Sequence, residues 1–151
     1  MTSVLGRLLD RLDAELEANH GISLAEYEVL VHLSEASGQA MRMAELAVRQ
    51  VVSPSGLTRR LDGLVRDGLV ERRPCPSDRR GTLAVLTDTG RAKLEEAAPT
   101  HVTGVRRYVI GALEGGALRD MEARMRLIGA SIDEAPPVDA IGSPQGPRLH
   151  R

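Results

Sequence analysis

The sequence contains no tryptophan, no phenylalanine and only two tyrosines, so any core it builds must be aliphatic. It has one cysteine, Cys75, which excludes an internal disulfide and suits a reducing compartment. Its apolar runs are only a few residues long, and Met1 to Leu9 lacks the basic start and continuous apolar stretch of a signal peptide. We therefore expect a soluble, cytoplasmic protein without membrane association. Among the four histidines, His20, His32, His101 and His150, no two are three or four residues apart. No single helix thus offers a two-histidine metal site, and no metal or cofactor is expected. Phosphate loops, GxGxxG, HExxH and a nucleophile beside a plausible base are also missing, which argues against an enzyme.

What is present begins with size and charge. At 151 residues, 42% of them hydrophobic, the chain has material for one core, and one domain is expected. The overall charge of −1 conceals a partition. Residues 1–41 carry two arginines against seven acids, residues 42–80 nine arginines against five acids, and the remainder nine of each sign. A basic block within a balanced chain fits a nucleic-acid footprint on one face, because phosphate neutralisation needs clustered cations. A merely solvated charged face gives the same count, so local structure has to decide.

The apolar spacing predicts helices around Val4 to Leu16, over Leu24 to Ala36 and over Ala44 to Gln50. Ser3 and Ser23 are positioned to start the first two, with Gly21 ending the first and Gly38 the second. Ser53-Pro54 opens a further helix, a side-chain oxygen at the N-cap followed by a fixed φ, and Gly68 ends it. From Leu69 the period changes. Leu69 to Arg73 and Thr82 to Leu86 are strand-like and flank the polar stretch Pro74 to Gly81, which predicts a β-hairpin. Beyond Thr87 or Asp88 a long helix follows, with a kink expected at Pro99. After Gly115-Gly116, Leu118, Met121, Met125, Ile128 and Ile132 alternate at spacings of three and four, the seam of helices packed side by side. The tail from residue 135 holds four of the eight prolines and no hydrophobic period, so disorder is expected there.

The fold class read from this order is mainly α with a small β-hairpin wing: a helix-turn-helix followed by a wing, flanked by N- and C-terminal helices. With Leu57 facing inward, Ser55, Arg59, Asp62 and Arg66 fall on the outer face of the Ser53-capped helix, with Thr58 at its flank. N-terminal turns of a recognition helix reach base edges, so Ser55, Thr58 and Arg59 are the expected major-groove readers, and Gly56 allows close approach. Arg59 has the reach to bridge two acceptors of a guanine, Arg60 projects sideways toward phosphate, and Arg66 lies where the helix leaves the groove. The hairpin tip carries Asp78, Arg79 and Arg80. Its arginines suit the negative potential of a narrow minor groove, and Asp78 is expected to pair with a neighbouring arginine and aim it. An ordinary amphipathic helix and a solvated charged turn are the competing readings. Cys75 sits among Arg72, Arg73, Arg79 and Arg80, which would lower its pKa if it were an oxidant sensor.

These blocks resemble the MarR (multiple antibiotic resistance regulator) family of bacterial transcription factors. Ile22 to Leu30 is similar to the family's second helix, Met43 to Ala47 and Ser53 to Asp62 to its helix-turn-helix, and Asp67 to Arg72 to the exit into its wing. Asp78-Arg79-Arg80 followed by Leu86-Thr-Asp-Thr-Gly90 resembles its most diagnostic signature, and the likeness runs from about Leu5 to Ile132. The resemblance implies a homodimer held by the first and last two helices, a repressor released by a small molecule, and an arginine, Arg79 or Arg80, in the minor groove. It implies family redox sensing through a cysteine near the first helix, where this sequence has none. It also implies an effector pocket between the dimer helices and the wing domain, for which Tyr27, His32, His101 and Tyr108 are the polar candidates.

The expected organisation is one domain over residues 1–134, with the winged helix-turn-helix at about 22–88 and dimerisation helices at about 3–19, 88–114 and 116–133. The apolar stripes on those three helices exceed what one small wing domain covers, which independently argues for a dimer. Two recognition helices then call for double-stranded DNA with a pseudo-palindromic operator, its half-sites about 34 to 36 Å apart. Alternative functions are a sequence-tolerant architectural DNA binder and a winged-helix module for protein contacts.

Overall fold

In the computed structural model, residues 3–76, 78–113 and 115–134 are described, those at 79 and 80 by backbone alone. The tail expected to be disordered lies outside them. Serine caps start the first two helices. Ser3 Oγ accepts from Gly6 N at 3.0 Å to open α1 (Val4–His20), which Gly21 closes in the left-handed region at φ 68°. Ser23 and Glu26 form a reciprocal capping box at the start of α2 (Leu24–Glu35). Between these helices Asp13 accepts from the Leu24 amide at 2.7 Å, fixing the corner.

A short 3₁₀ turn, Ser37–Gln39, leads into β1 (Ala40–Arg42), a strand not anticipated from the sequence. Helix α3 (Met43–Arg49) follows, then a turn, then α4 (Pro54–Arg66), capped by Ser53 Oγ on Gly56 N at 3.1 Å. At Gly56 a Cβ would stand 3.2 Å from that Oγ, so the glycine leaves room for the cap. The turn stores strain: Val51, a β-branched and exposed residue, holds φ +51°.

Strands β2 (Val70–Cys75) and β3 (Asp78–Leu86) make a longer hairpin than the apolar pattern predicts, taking in most of the expected polar loop. Backbone pairing accounts for this, since a ladder does not require alternating hydrophobicity. Its register shifts between Pro74 and Cys75, where proline has no N–H to donate. β3 is central, with β1 and β2 antiparallel on its two sides, so Met41 and Arg72 both face Ala84 in register.

Helix α5 (Asp88–Tyr108) grows from the base of this hairpin. Thr87 Oγ1 accepts from Gly90 N at 2.9 Å and donates to Gly68 O at 2.7 Å. A Cβ on Gly90 would lie 2.0 Å from Leu69 O, so only glycine lets the helix start so close to the strand. The helix continues through Pro99 and ends before the 114 expected, at Tyr108, with a 3₁₀ turn over Ile110–Ala112 beyond it. Gly104 brings α5 against Leu12 of α1, and His20 of α1 reaches Thr100 Oγ1 at 2.8 Å.

The core joins Leu16 of α1, Leu30 and Leu33 of α2, Leu46 of α3 and Leu57, Leu61 and Leu64 of α4, all fully buried. It is aliphatic apart from Tyr27. One domain through residue 134 was expected, and the chain divides into two compact units, Met1–Val109 and Ile110–Arg151. The second unit contains α6 (Ala117–Glu134), on which Met125, Leu127, Ile128 and Ile132 are exposed.

Candidate nucleic-acid interface

Helix α4 is the most amphipathic surface of the helix-turn-helix: Leu57, Leu61 and Leu64 are buried, while Ser55, Thr58, Arg59, Asp62 and Arg66 are exposed on the opposite side. The side chains on that face differ in freedom. Thr58 Oγ1 donates to Pro54 O at 2.9 Å, which leaves its methyl group and its lone pairs outward. Ser55 Oγ lies 3.2 Å from the Ser53 cap oxygen. Arg66 Nε donates to Asp67 Oδ1 at 3.1 Å, and this hydrogen bond, with the added charge attraction, raises the guanidinium pKa further above its already high value. Arg60, expected to face phosphate, is half-buried and donates instead to the Gln50 side-chain oxygen in the turn before α4.

The wing is joined to α4 and β1 by arginine–aspartate pairs. Arg72 of β2 donates to Asp62 Oδ1 at 2.8 Å and to Thr58 O at 3.1 Å. Arg42 Nη1 of β1 lies 3.6 Å from Asp78 Oδ2. Asp78 thus has one partner on another strand; the side chains of Arg79 and Arg80, the neighbours with which the motif expects it to pair, lie outside the described structure. Arg42, Arg72, Thr58, Asp78 and Pro54 line a groove of about 600 Å³ between the start of α4 and the wing. A helix with an exposed polar face beside a hairpin of basic composition can enter a DNA major groove while the hairpin tip reaches the backbone or the adjacent minor groove.

This arrangement recurs in solved structures. The crystal structure of AbsC, a MarR family transcriptional regulator from Streptomyces coelicolor, superposes with a TM-score of 0.79 at 35% identity, covering 85% of this chain and 86% of that one. The chain belongs to the MarR family. The MarR family model itself matches residues 20–81, from the end of α1 to the wing. Sco3205, a MarR family transcriptional regulator from the same organism solved in complex with DNA, gives a TM-score of 0.81 at 34% identity over 89% of this chain and 86% of that one. The HTH-type transcriptional repressor YetL of Bacillus subtilis (strain 168) is 36% identical over 88 residues, 58% of this chain, so the match spans about half of YetL's length. Membership makes the protein a transcriptional regulator with a winged helix fold and not an enzyme.

The four residues considered for a MarR effector pocket separate into two places. Tyr27, His32 and His101 line one cavity of about 330 Å³ with Glu28, Val31 and Arg49, between α2, α3 and α5. The Tyr27 and His101 rings are 4.8 Å apart at 34°. Nδ1 of His32 and Nδ1 of His101 are both buried without a hydrogen-bond partner among the described residues. Burial raises the Tyr27 pKa and lowers that of His101, the latter opposed in part by Glu28, so burial favours the uncharged form of both rings. Tyr108 is elsewhere. Its hydroxyl donates to Glu15 and accepts from Arg11 Nε at 3.2 Å, and this hydrogen bond lowers the Glu15 pKa. His101 and Tyr108, seven residues apart, share one side of α5 about two turns apart, and spacing alone does not reveal that the first meets α2 and the second α1. Cys75 is buried, and a Cβ added at Gly81 would stand 3.0 Å from the Cys75 Cβ, so the thiol lacks the exposure a reactive thiolate needs.

Arg42 was not singled out in the sequence, and Arg72 only as a neighbour of Cys75 and the end of the block leading into the wing. Each has an aspartate partner far along the chain, Asp78 and Asp62, and no local spacing signals either pair. The strand assignment at Leu69 to Arg73 was the available signal for Arg72, since it places Arg72 on the same face as buried Val70.

Proposed function

We propose that the protein is a homodimeric, sequence-specific DNA-binding repressor of the bacterial cytoplasm, released from a pseudo-palindromic operator by a small molecule. The observation that carries this reading is the capped helix α4, whose Ser55, Thr58 and Arg59 form an exposed face beside the wing. In it Ser55, Gly56, Thr58 and Arg59 face bases, Ser53 and Arg60 support the helix start, Arg66 meets the backbone, and Asp78, Arg79 and Arg80 form the wing contact. The DNA-bound state of the similar Sco3205 supports it. Dimerisation is supported by exposed Val4, Leu5 and Leu9 on α1 and, separately, by the exposed Leu127, Ile128 and Ile132 of α6. One domain over residues 1–134 is part of the same reading.

The effector site is the cavity between α2, α3 and α5. Two buried imidazole nitrogens without partners are costly unless a ligand or water satisfies them, and Arg49 belongs to the helix that precedes the recognition turn. Selection of bound fragments from a random DNA pool, with sedimentation of the free protein, tests the reading. Recovery of an inverted repeat bound by a dimer, with a preference of about 10³ or more over random DNA, is expected. Binding without preference would make the protein architectural, and no binding would leave a module for protein contacts. A small-molecule screen for operator release, repeated on His101→Leu, then tests the cavity; release undiminished in the variant would place the effector elsewhere.

A further inference from the structure

The recognition helix and the wing are separate elements, and a protein that reads two grooves must hold them at a set distance. A single guanidinium spans them. From the middle of β2, Arg72 donates to Asp62 Oδ1 at 2.8 Å and to the main-chain oxygen of Thr58 at 3.1 Å. Thr58 and Asp62 are four residues apart, one turn of α4, so the two bonds fix both the rotation of the helix and its slide along the wing. Both bonds leave the same terminal nitrogen, Nη2, whose two N–H groups are held in the guanidinium plane. The side chain of Arg72 is one-third exposed, at 33%, which protects the bonds in part from competing water.

The charge at Asp62 gives the second part of the argument. Asp62 lies between Arg59 and Arg66 on the outer face of α4, where an unpaired carboxylate would repel DNA phosphate. Pairing with Arg72 neutralises it. The carboxylate then serves the helix by anchoring it, at little electrostatic cost to an approaching duplex.

We propose that Arg72 is a positioning residue for sequence recognition: it holds α4 at a fixed distance and angle from the wing, and cancels the charge of Asp62, without itself contacting a base. The proposal rests on the DNA-binding reading above. It distinguishes Arg72 from the wing arginines, which should act through phosphate or groove contact.

Operator and random-sequence DNA binding of the full-length protein, measured over a range of salt, tests it in Arg72→Ala, Arg72→Lys and Arg72→Ala/Asp62→Asn. Arg72→Ala should weaken operator binding by about tenfold and random-DNA binding by much less, with the salt slope unchanged. Adding Asp62→Asn should restore the part of the loss due to the bare carboxylate, and Arg72→Lys should restore only part of the binding, because both bonds leave the outermost guanidinium nitrogen and the lysine side chain is one atom shorter. Equal losses on operator and random DNA together with a salt slope reduced by about one would make Arg72 a phosphate contact and overturn the proposal. So would operator binding unchanged in Arg72→Ala. Failure of the DNA-binding reading would show already in the unsubstituted protein. In that event a double-mutant cycle of Arg72 and Asp62 in urea unfolding decides, and a coupling indistinguishable from zero overturns the clamp.

Discussion

The base of the wing and its outer face are built by opposite means. At the base, Gly90 touches Leu69 O, Thr87 bonds the Gly68 carbonyl, and Val70 and Leu86 are buried, so backbone approaches backbone with no room to spare. At the face, Arg72 and Arg42 reach aspartates through exposed or partly exposed side chains. The difference teaches where substitution will be felt. Close packing at the base has no alternative arrangement and should be read in stability, whereas the exposed ion pairs at the face contribute at most about 1 kcal/mol each to stability and should be read mainly in binding.

The largest expected effect breaks the base. Gly90→Ala places a methyl carbon 2.0 Å from Leu69 O and 2.8 Å from Leu86 Cδ1. The gain of helix propensity, about 1 kcal/mol, is outweighed by overpacking, and urea unfolding should report a net loss of about 3 kcal/mol. Equal stability of variant and parent would mean that α5 starts farther from the hairpin.

At the face, Arg59→Ala should leave the unfolding midpoint within error and cost about 1 to 3 kcal/mol in operator binding, relaxing preference at one base position. Arg79→Ala or Arg80→Ala should weaken binding across sequences and lower the salt slope by about one. Wing variants that bind normally would remove the wing from the interface.

Between these extremes lies the turn before α4. Val51 holds φ +51° with 90% of its surface exposed, so it strains the backbone and packs little. Val51→Gly should therefore stabilise the fold by up to about 1 kcal/mol, the relief of the left-handed conformation exceeding the added freedom of the unfolded chain. A loss in thermal unfolding would show that the valine makes contacts worth more than its strain.

The smallest expected effect concerns His101, where burial holds the pKa below the ordinary 6.5. The unfolded chain binds a proton near pH 6.5 that the folded chain refuses until lower pH, so stability is complete above 6.5 and declines as the pH falls below it. His101→Leu should flatten that slope. Glu15 acts in a separate, more acidic window: its lowered pKa contributes stability above about its ordinary 4.5 that is lost as the pH falls further. A slope just below pH 6.5 that persists in His101→Leu would assign it to another group.

Much of this was legible in the residues. Ser3, Ser23 and Ser53 open their helices through local hydrogen bonds, Gly21 and Gly68 close theirs through φ, and the inward leucines of α4 follow from a period of 3.6. Each depends on neighbours within about four positions. Strand β1 is only three residues long, too short for a periodic signal, and exists because β3 offers it an edge. The hairpin strands run past the apolar pattern for the same reason.

The sequence by itself determined the helices and their caps, the position of the turn, the outward face of Ser55, Thr58 and Arg59, and the family likeness, because all of these are written in short-range spacing. Only the tertiary structure decided which side chains meet. It gave Asp78 to Arg42, Asp62 to Arg72 and Arg60 to Gln50, and gathered Tyr27, His32 and His101 around one cavity while sending Tyr108 to Glu15. The physical reason is the range of the interactions: a cap or a turn is settled by adjacent backbone, whereas an ion pair or a cavity depends on how α4, α5 and the hairpin come to lie against one another.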